Sequence, residues 1–134
     1  DAHKEILRVG DSLSLVKSSF LYYCADKAIE ATFYWHSLDN TDKDIQMLIE
    51  VTSEGGRVIR RLAHPICYRI FPTHSWGKGD SYKEKIRIYM PEESSGDINV
   101  SIVFFDNASG GIIQAGTGKD SYAVINFGEI RCRE

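Results

Sequence analysis

The side chains best suited to contact a ligand in this sequence are aromatic residues and histidines in two places. Tyr34 and His36 alternate along one predicted strand, on the face opposite to Trp35. The other candidates belong to or border a loop at residues 63–80: Tyr68, His74 and Trp76. Aromatic rings offer a flat apolar surface with a polar edge, which suits the C–H faces and hydroxyls of sugars. We therefore predict that any ligand is a glycan contacted through these five residues.

Each of these side chains also has a purely structural interpretation, in which no sugar binds. Trp35 then lies in the core and Trp76 anchors the loop onto the domain. Because one face of an outer sheet meets solvent in any case, Tyr34 and His36 could be exposed without a ligand. The alternative function is a structural or protein-interaction domain. The two interpretations differ in whether the aromatic side chains line a concave surface or are buried.

The acidic residues do not form a pattern that predicts catalysis. Hydrolysis of a glycoside requires two carboxylates that converge across a cleft. Nothing in the spacing of Glu50, Asp106 and the pair at 92–93 requires such convergence. Two adjacent acidic residues in a turn are explained most simply as solvated charges. We expect a non-catalytic domain.

Two kinds of metal site are conceivable, and neither is favoured. His64 and His74 share the long loop, but no histidine has a partner at i+2 or i+4. The acidic turn at residues 39–44 offers oxygen ligands for calcium but lacks the glycine and the later glutamate of an EF-hand. We expect neither a metal nor a cofactor.

The three cysteines, Cys24, Cys67 and Cys132, lie far apart in the sequence. None belongs to a Cys-x-x-Cys pair, so a structural zinc site is not expected. Their odd number leaves at least one free thiol. We favour three reduced, buried cysteines, because a free cysteine behaves as a small hydrophobic residue. The alternative is one disulfide, which would indicate an oxidising compartment.

Length and charge narrow the functional classes further. The chain has 134 residues, enough for a single domain over residues 1–134 to bury a core. Its net charge of −3 argues against nucleic acid as a partner. No apolar run approaches the roughly 18 residues that span a bilayer, and no signal peptide is visible. The start at Asp1 favours a piece of a longer protein, so we expect membrane attachment only through such a parent protein.

Alternation of apolar and polar residues predicts strands through most of the chain. Gly, Pro, Asn and Asp separate them, as in the turn Ser53-Glu54-Gly55-Gly56. The predicted strands are 5–16, 28–36, 44–52, 57–62, a short one at 67–70, 82–90, 98–105, 112–113 and 127–132. The segment 18–26 has no clear period and is predicted to cross between sheets. The fold class is therefore all-β, an antiparallel β-sandwich of jelly-roll or immunoglobulin-like type with eight or nine strands.

The same alternation predicts which side chains form the core. They share the face of each strand that carries the larger apolar residues. They are Ile29, Phe33, Trp35, Ile45, Met47, Ile49, Ile86, Ile88, Ile98, Val100, Ile102 and Phe104.

The order of short motifs resembles that of the β-sandwich accessory domains of bacterial membrane glycosyltransferases. The most specific match is Pro72-Thr73-His74-Ser75-Trp76-Gly77-Lys78-Gly79-Asp80, against a P-T-x-x-W-x-x-G-D pattern. Weaker matches are spread along nearly the whole chain, at residues 9–15, 32–37, 53–59, 86–91, 100–106 and 127–132. The chain departs from the pattern at residues 48–50, where Leu48-Ile49-Glu50 replaces a usual Phe-x-His. A looser similarity holds to the carbohydrate-binding C-terminal domains of polysaccharide ABC exporters.

These resemblances imply a non-catalytic carbohydrate-binding or accessory module of a bacterial protein for surface-glycan assembly or export. The implied partner is a glycan or polysaccharide. The implied location is the extracytoplasmic face of the membrane for a glycosyltransferase-like parent, and the cytoplasm for an exporter-like parent. Neither resemblance supplies a set of ligand residues, so none is transferred, and the oligomeric state stays open.

Overall fold

A computed structural model of the chain describes residues 5–69, 71–91 and 96–133, without the side chains of Tyr68 and Arg69. The described residues form eleven strands and three short 3-10 helices. The strands are β1 Leu7–Val9, β2 Leu13–Tyr23, β3 Ala28–Ser37, β4 Ile45–Ser53, β5 Val58–Pro65, β6 Ser81–Tyr89, β7 Ile98–Asp106, β8 Ile112–Ile113, β9 Ala115–Gly116, β10 Ile125–Ile130 and β11 Cys132–Arg133. The 3-10 helices are Cys24–Asp26, Ile66–Arg69 and Thr73–Ser75.

The strands form two sheets that pack face to face. The first sheet has the order β6-β3-β2-β1-β9, and β11 also pairs with β2. The second sheet has the order β10-β7-β4-β5, and β8 also pairs with β7. All described pairs are antiparallel except β11 with β2. The predicted antiparallel β-sandwich is confirmed. The strands number eleven rather than eight or nine because four of them contain only two or three residues.

The core lies between the two sheets and is built from the inward face of each long strand. Every residue that the alternation assigned to the core is at most 3% exposed. Burying a large aliphatic or aromatic side chain contributes about 1.5–3 kcal/mol. Period-2 alternation along β3, β4, β6 and β7 is therefore the main determinant of the sandwich.

The sequence predicted that the segment 18–26 crosses between the two sheets, and this prediction was wrong. Most of the segment belongs to β2, which pairs with β3 from Leu13 to Tyr23. A bulge between Leu15 and Lys17 adds one residue and shifts the register. Inward positions therefore change from odd numbers before the bulge to even numbers after it, ending with the buried Tyr22. Because the inward side chains change from odd to even positions within one strand, the segment shows no continuous alternation of apolar and polar residues.

The short strand predicted at residues 67–70 is also wrong. Residues Ile66–Arg69 form a 3-10 helix, and Ile70 lies outside the described residues. Cys67 has a left-handed backbone with φ of 57°, which does not fit a strand. Its amide instead donates to the carboxylate of Glu84, at 3.0 Å. A contact with a residue 17 positions away cannot be deduced from local pattern.

Two of the three cysteines form a disulfide, so the preference for three reduced cysteines was wrong. Cys24 is bonded to Cys132, with 5.3 Å between the Cα atoms. The pairing follows from the position of β11, which runs parallel to the end of β2 and brings Cys132 opposite Tyr22. Cys67 is free and buried.

Candidate functional site

The outward face of the first sheet presents Tyr34 and His36, as the alternation along β3 predicted. Phe33 and Trp35 face the core and are almost completely buried, whereas Tyr34 and His36 are partly exposed. Tyr34 lies opposite Lys17 of β2 on one side and opposite Lys83 of β6 on the other. Three adjacent strands therefore place one tyrosine between two lysines.

Both lysines direct their ammonium groups toward the ring of Tyr34. Each Nζ atom lies 5.4 Å from the ring centroid. A cation at this distance is attracted by the ring quadrupole, by about 0.5–1 kcal/mol at an exposed site. The attraction keeps two positive charges beside the same aromatic ring.

His36 occupies the next outward position of β3 and contacts β6. Its Nδ1 atom is hydrogen bonded to Oγ of Ser81, at 2.7 Å. Register places these two residues directly opposite each other. An imidazole and a hydroxyl, both of which can donate or accept hydrogen bonds, therefore lie next to the tyrosine on the same face.

A surface hollow of about 440 Å³ extends across β2, β3 and β6. It is lined by Val16, Lys17, Tyr34, Trp35, Ser81, Tyr82 and Lys83. The bulge in β2 contributes to its shape, because Val16 is the additional residue. The combination of an aromatic ring, two cations and a hydroxyl in one hollow suits a ligand with both flat apolar and polar surfaces.

Trp76 lies behind this hollow and not in it. Its side chain is 3% exposed, and its Nε1 atom donates to the carbonyl oxygen of Phe71, at 2.6 Å. The indole ring packs against Tyr82, with 4.5 Å between the ring centroids. Trp76 therefore anchors the loop and supports Tyr82, which lines the hollow.

Phe71 extends the aromatic surface toward solvent. Its ring stacks on that of Tyr82, with centroids 5.4 Å apart and planes 23° apart, and it remains 51% exposed. Sequence analysis did not select Phe71 or Tyr82. Their adjacency depends on the fold of the loop back onto β6, which no local spacing reveals.

The other two candidate residues lie apart from Tyr34 or outside the description. His74 is exposed in the 3-10 helix Thr73–Ser75, and no described contact joins it to Tyr34 or His36. The side chain of Tyr68 lies outside the described residues. The structure thus brings Tyr34 and His36 together and connects Trp76 to the same region through Tyr82.

The spacing of residues in the sequence does not indicate that the two lysines and Ser81 lie near Tyr34. Lys17 follows the bulge, in the region where the predicted edge strand was thought to end. Lys83 and Ser81 alternate with inward residues of β6, and this pattern places them on an outer face. Their proximity to Tyr34 requires the pairing of β3 with β6, which are separated by two strands of the other sheet in the sequence.

A buried polar network lies between the two sheets, below the hollow. The carboxylate of Glu84 accepts a hydrogen bond from Nε1 of Trp35, at 2.7 Å. It also makes hydrogen bonds with Nε2 of His64, at 2.7 Å, and with the amide of Cys67. The side chains of His64 and Glu84 are only 7% and 4% exposed. The network connects β6 and β3 to β5 and the helix Ile66–Arg69.

The proximity of a cysteine, a histidine and a glutamate does not make this network a nucleophilic site. Burial, together with the charge of Glu84, raises the pKa of the Cys67 thiol to about 12. A reactive cysteine requires a lowered pKa, since the thiolate is the nucleophile. Instead, the hydrogen bonds of this network give the buried Trp35, His64 and Cys67 groups a partner in the carboxylate of Glu84.

Acidic side chains also converge where neighbouring strands of the second sheet, β4, β7 and β10, begin or end. Single carboxylate oxygens of Glu54, Asp97 and Glu129 lie within 4.8 Å of one another. Asp97 already accepts a hydrogen bond from the amide of Cys132, at 3.2 Å. The turn at residues 39–44 is closed by its own side chains, with Asp39 accepting from the amide of Asn40.

Among the described residues, no helix is long and apolar enough to cross a membrane.

The fold is similar to that of a solved structure, the C-terminal domain of Wzt. The crystal structure of that domain aligns with a TM-score of 0.56 and 11% sequence identity, over 98% of this chain and 79% of the other. At this identity the similarity shows a shared fold alone. No protein-family model matches the sequence. No curated protein matches it either.

Proposed function

We propose that this chain is a non-catalytic carbohydrate-binding or accessory module of a bacterial protein that assembles or exports surface glycans. The observation that carries the proposal is the hollow around Tyr34. It combines an outward aromatic ring with the hydroxyl of Ser81 and two ammonium groups, and the imidazole of His36 is hydrogen bonded to that hydroxyl. These are the groups that a sugar ring with its hydroxyls requires.

Two independent similarities support the glycan assignment. The sequence motifs resemble accessory domains of glycosyltransferases and the carbohydrate-binding domains of polysaccharide exporters. The fold is similar to the C-terminal domain of Wzt over nearly the whole of this chain. Both similarities concern β-sandwich modules, and the fold similarity extends over 98% of this chain.

The disulfide supports one of the two locations of the parent protein. A bond between Cys24 and Cys132 is stable in an oxidising compartment and is reduced in most bacterial cytoplasm. This favours an extracytoplasmic module over a cytoplasmic one. The redox state of the cysteines in cells decides between them.

Binding at the hollow is expected to be weak at each site. The surface is shallow and exposed, and a single sugar ring contacts few side chains. We expect a dissociation constant between about 1 mM and 1 μM, which corresponds to about −4 to −8 kcal/mol. Affinity for a polymer would increase if several repeat units or several modules bind together.

The test is binding of the chain to an array of bacterial surface glycans, followed by titration of the best ligand. Tyr34→Ala should reduce affinity for that ligand while the melting temperature changes little, because Tyr34 is on the outer face. Tyr89→Ala is a matched control, since Tyr89 is an exposed tyrosine at the far end of β6. The proposal fails if no glycan binds the parent chain.

The alternative is a structural or protein-interaction domain without a sugar site. The burial of Trp76 favours it, because a structural domain buries its aromatic residues. It predicts that no array glycan binds, and that the outer-face residues can be replaced without any change in binding.

A further inference from the structure

We propose that the glycan bound at the hollow carries a negative charge, and that Lys17 and Lys83 bind its anionic group. This inference rests on the proposed function and specifies the class of sugar. The anionic group is a carboxylate, as in a uronic acid, or a phosphate ester. Both present oxygen acceptors for two ammonium donors.

The first argument is the symmetry of the two lysines about Tyr34. Lys17 and Lys83 come from different strands, 66 positions apart in the sequence, and are each in register with the tyrosine. Each ammonium nitrogen lies 5.4 Å from the same ring centroid. The two nitrogens are therefore separated by no more than twice this distance. Both positive charges therefore act on a ligand that covers the ring of Tyr34 from the solvent side.

The second argument is that the neighbouring cations on this face are already paired. Lys85 lies 3.6 Å from a carboxylate oxygen of Glu30, and Arg87 lies 3.8 Å from the other. Within residues 5–69, 71–91 and 96–133, neither Lys17 nor Lys83 has a carboxylate at ion-pair distance. Positive charge on the outer face of β6 and β2 is therefore left uncompensated at the hollow.

The third argument is electrostatic. Two like charges flank the ring of Tyr34, and both attract an anion that approaches from the solvent side. The chain has a net charge of −3, so a positive hollow is a local feature and not a consequence of overall composition. A field of this kind selects a ligand by charge and fixes its orientation.

The remaining groups of the hollow fit the rest of an acidic sugar. The hydroxyl of Ser81, already hydrogen bonded to His36, lies on the same strand as Lys83 and two residues before it. Hydroxyls next to the anionic group of the sugar could bind there. The exposed ring of Phe71, which is stacked on Tyr82, offers an apolar surface beside the hollow.

The experiment uses the 134-residue chain and matched pairs of bacterial surface oligosaccharides. The two members of each pair differ only in one acidic substituent, a uronate carboxyl in one series and a phosphate in the other. Titration calorimetry or chemical-shift titration gives each affinity. We expect the acidic members of one series to bind about tenfold more tightly than their neutral partners at low salt, and less so in 0.5 M NaCl. The series that shows the effect identifies the anionic group.

The double variant Lys17→Gln/Lys83→Gln then tests the assignment to these side chains. It should lose most of the preference for acidic members, measured as the ratio of the acidic to the neutral affinity within each pair. The control Lys119→Gln/Arg131→Gln removes the same charge from exposed positions outside the hollow and should retain the preference.

Two other sets of results would contradict either the charge inference alone or the glycan proposal as well. If neutral members bind as tightly as acidic ones, or if the control variant loses the preference as fully as the lysine variant, the charge inference is wrong and the glycan proposal stands. If no oligosaccharide of either series binds, the glycan proposal fails and the inference fails with it.

Discussion

Nε1 of Trp35 donates a hydrogen bond to the carboxylate of Glu84, at 2.7 Å, and both side chains are buried. Trp35 belongs to β3 and Glu84 to the edge strand β6, which also lines the hollow. The same carboxylate binds His64 of the second sheet. β6, which lines the hollow with its outer side chains, is therefore held on its inner side by hydrogen bonds of the buried Glu84 carboxylate.

Replacing Glu84 should destabilise the domain strongly. Glu84→Ala leaves the indole N–H, the amide of Cys67 and the imidazole of His64 without their acceptor, in a site closed to solvent. We expect a loss of about 3–5 kcal/mol in the free energy of unfolding, measured by urea denaturation. Glu84→Gln keeps one acceptor oxygen and should lose less. Lys85→Ala, its exposed neighbour, is the control, and a Glu84→Ala loss below about 1 kcal/mol would contradict the role of the network.

The disulfide should contribute a large part of the stability. It closes a loop with a sequence separation of 108 residues. The chain-entropy estimate for a loop of about 100 residues is about 4.7 kcal/mol, and removal of native disulfides typically costs about 2–5 kcal/mol. Cys24→Ser/Cys132→Ser should lower the free energy of unfolding by such an amount. Mass spectrometry of the alkylated, unreduced chain should find one modified cysteine after unfolding, and three modified cysteines would show that the bond is absent.

Cys67 should be almost unreactive in the folded protein. Its pKa is raised from 9.0 to about 12, so the thiolate fraction at pH 8 falls about a thousandfold relative to the unfolded chain. Alkylation by iodoacetamide at pH 8 should therefore be slow until denaturant is added. Rapid modification of the folded protein would show that the thiol is accessible.

The same pKa shift should make stability depend on alkaline pH. Below pH 9 the thiol is protonated in both states, and its contribution to stability is fully present. As pH rises from about 9 to about 12, the unfolded state releases the proton while the folded state retains it, so the free energy of unfolding declines. Cys67→Ala should show a smaller decline over this range.

Trp76 and Phe71 should differ sharply in their effect on stability. Trp76 is buried, packs on Tyr82 and donates to a backbone carbonyl, whereas Phe71 is half exposed. Trp76→Ala should cost about 3–5 kcal/mol of unfolding free energy. Phe71→Ala should leave the melting temperature nearly unchanged and reduce glycan affinity if its ring contacts the sugar. Equal stability losses in the two variants would place Phe71 in the core instead.

The sequence was sufficient for the core and for the faces of the long strands. Phe33, Met47 and Ile102 each belong to a segment in which every second side chain is apolar and buried. This pattern is typical of a strand and not of a helix. It also placed Tyr34 and His36 correctly on the face opposite to Trp35. Local periodicity is enough for these features because each depends on one strand alone.

The remaining features depend on which strands become neighbours. Lys17 and Lys83 meet Tyr34 only because β2 and β6 flank β3. Cys24 meets Cys132 only because β11 lies beside the end of β2. Glu84 could not be assigned to the interior from its type, since a buried carboxylate requires partners that come from distant segments. These relationships arise from tertiary packing and leave no signal in residue spacing.

The bulge at Val16 decides which residue of β2 stands beside Tyr34. Leu15 is opposite Trp35 and Lys17 is opposite Tyr34, so a step of two residues crosses from one side of the sheet to the other. In a ladder without the bulge, Val16 would pair with Tyr34, and Lys17 would lie opposite Phe33 on the core face. Deleting Val16 would instead make the ladder continuous and leave Lys17 opposite the tyrosine. A chain that lacks this one residue would therefore keep the cation beside the ring and lose the valine from the lining of the hollow.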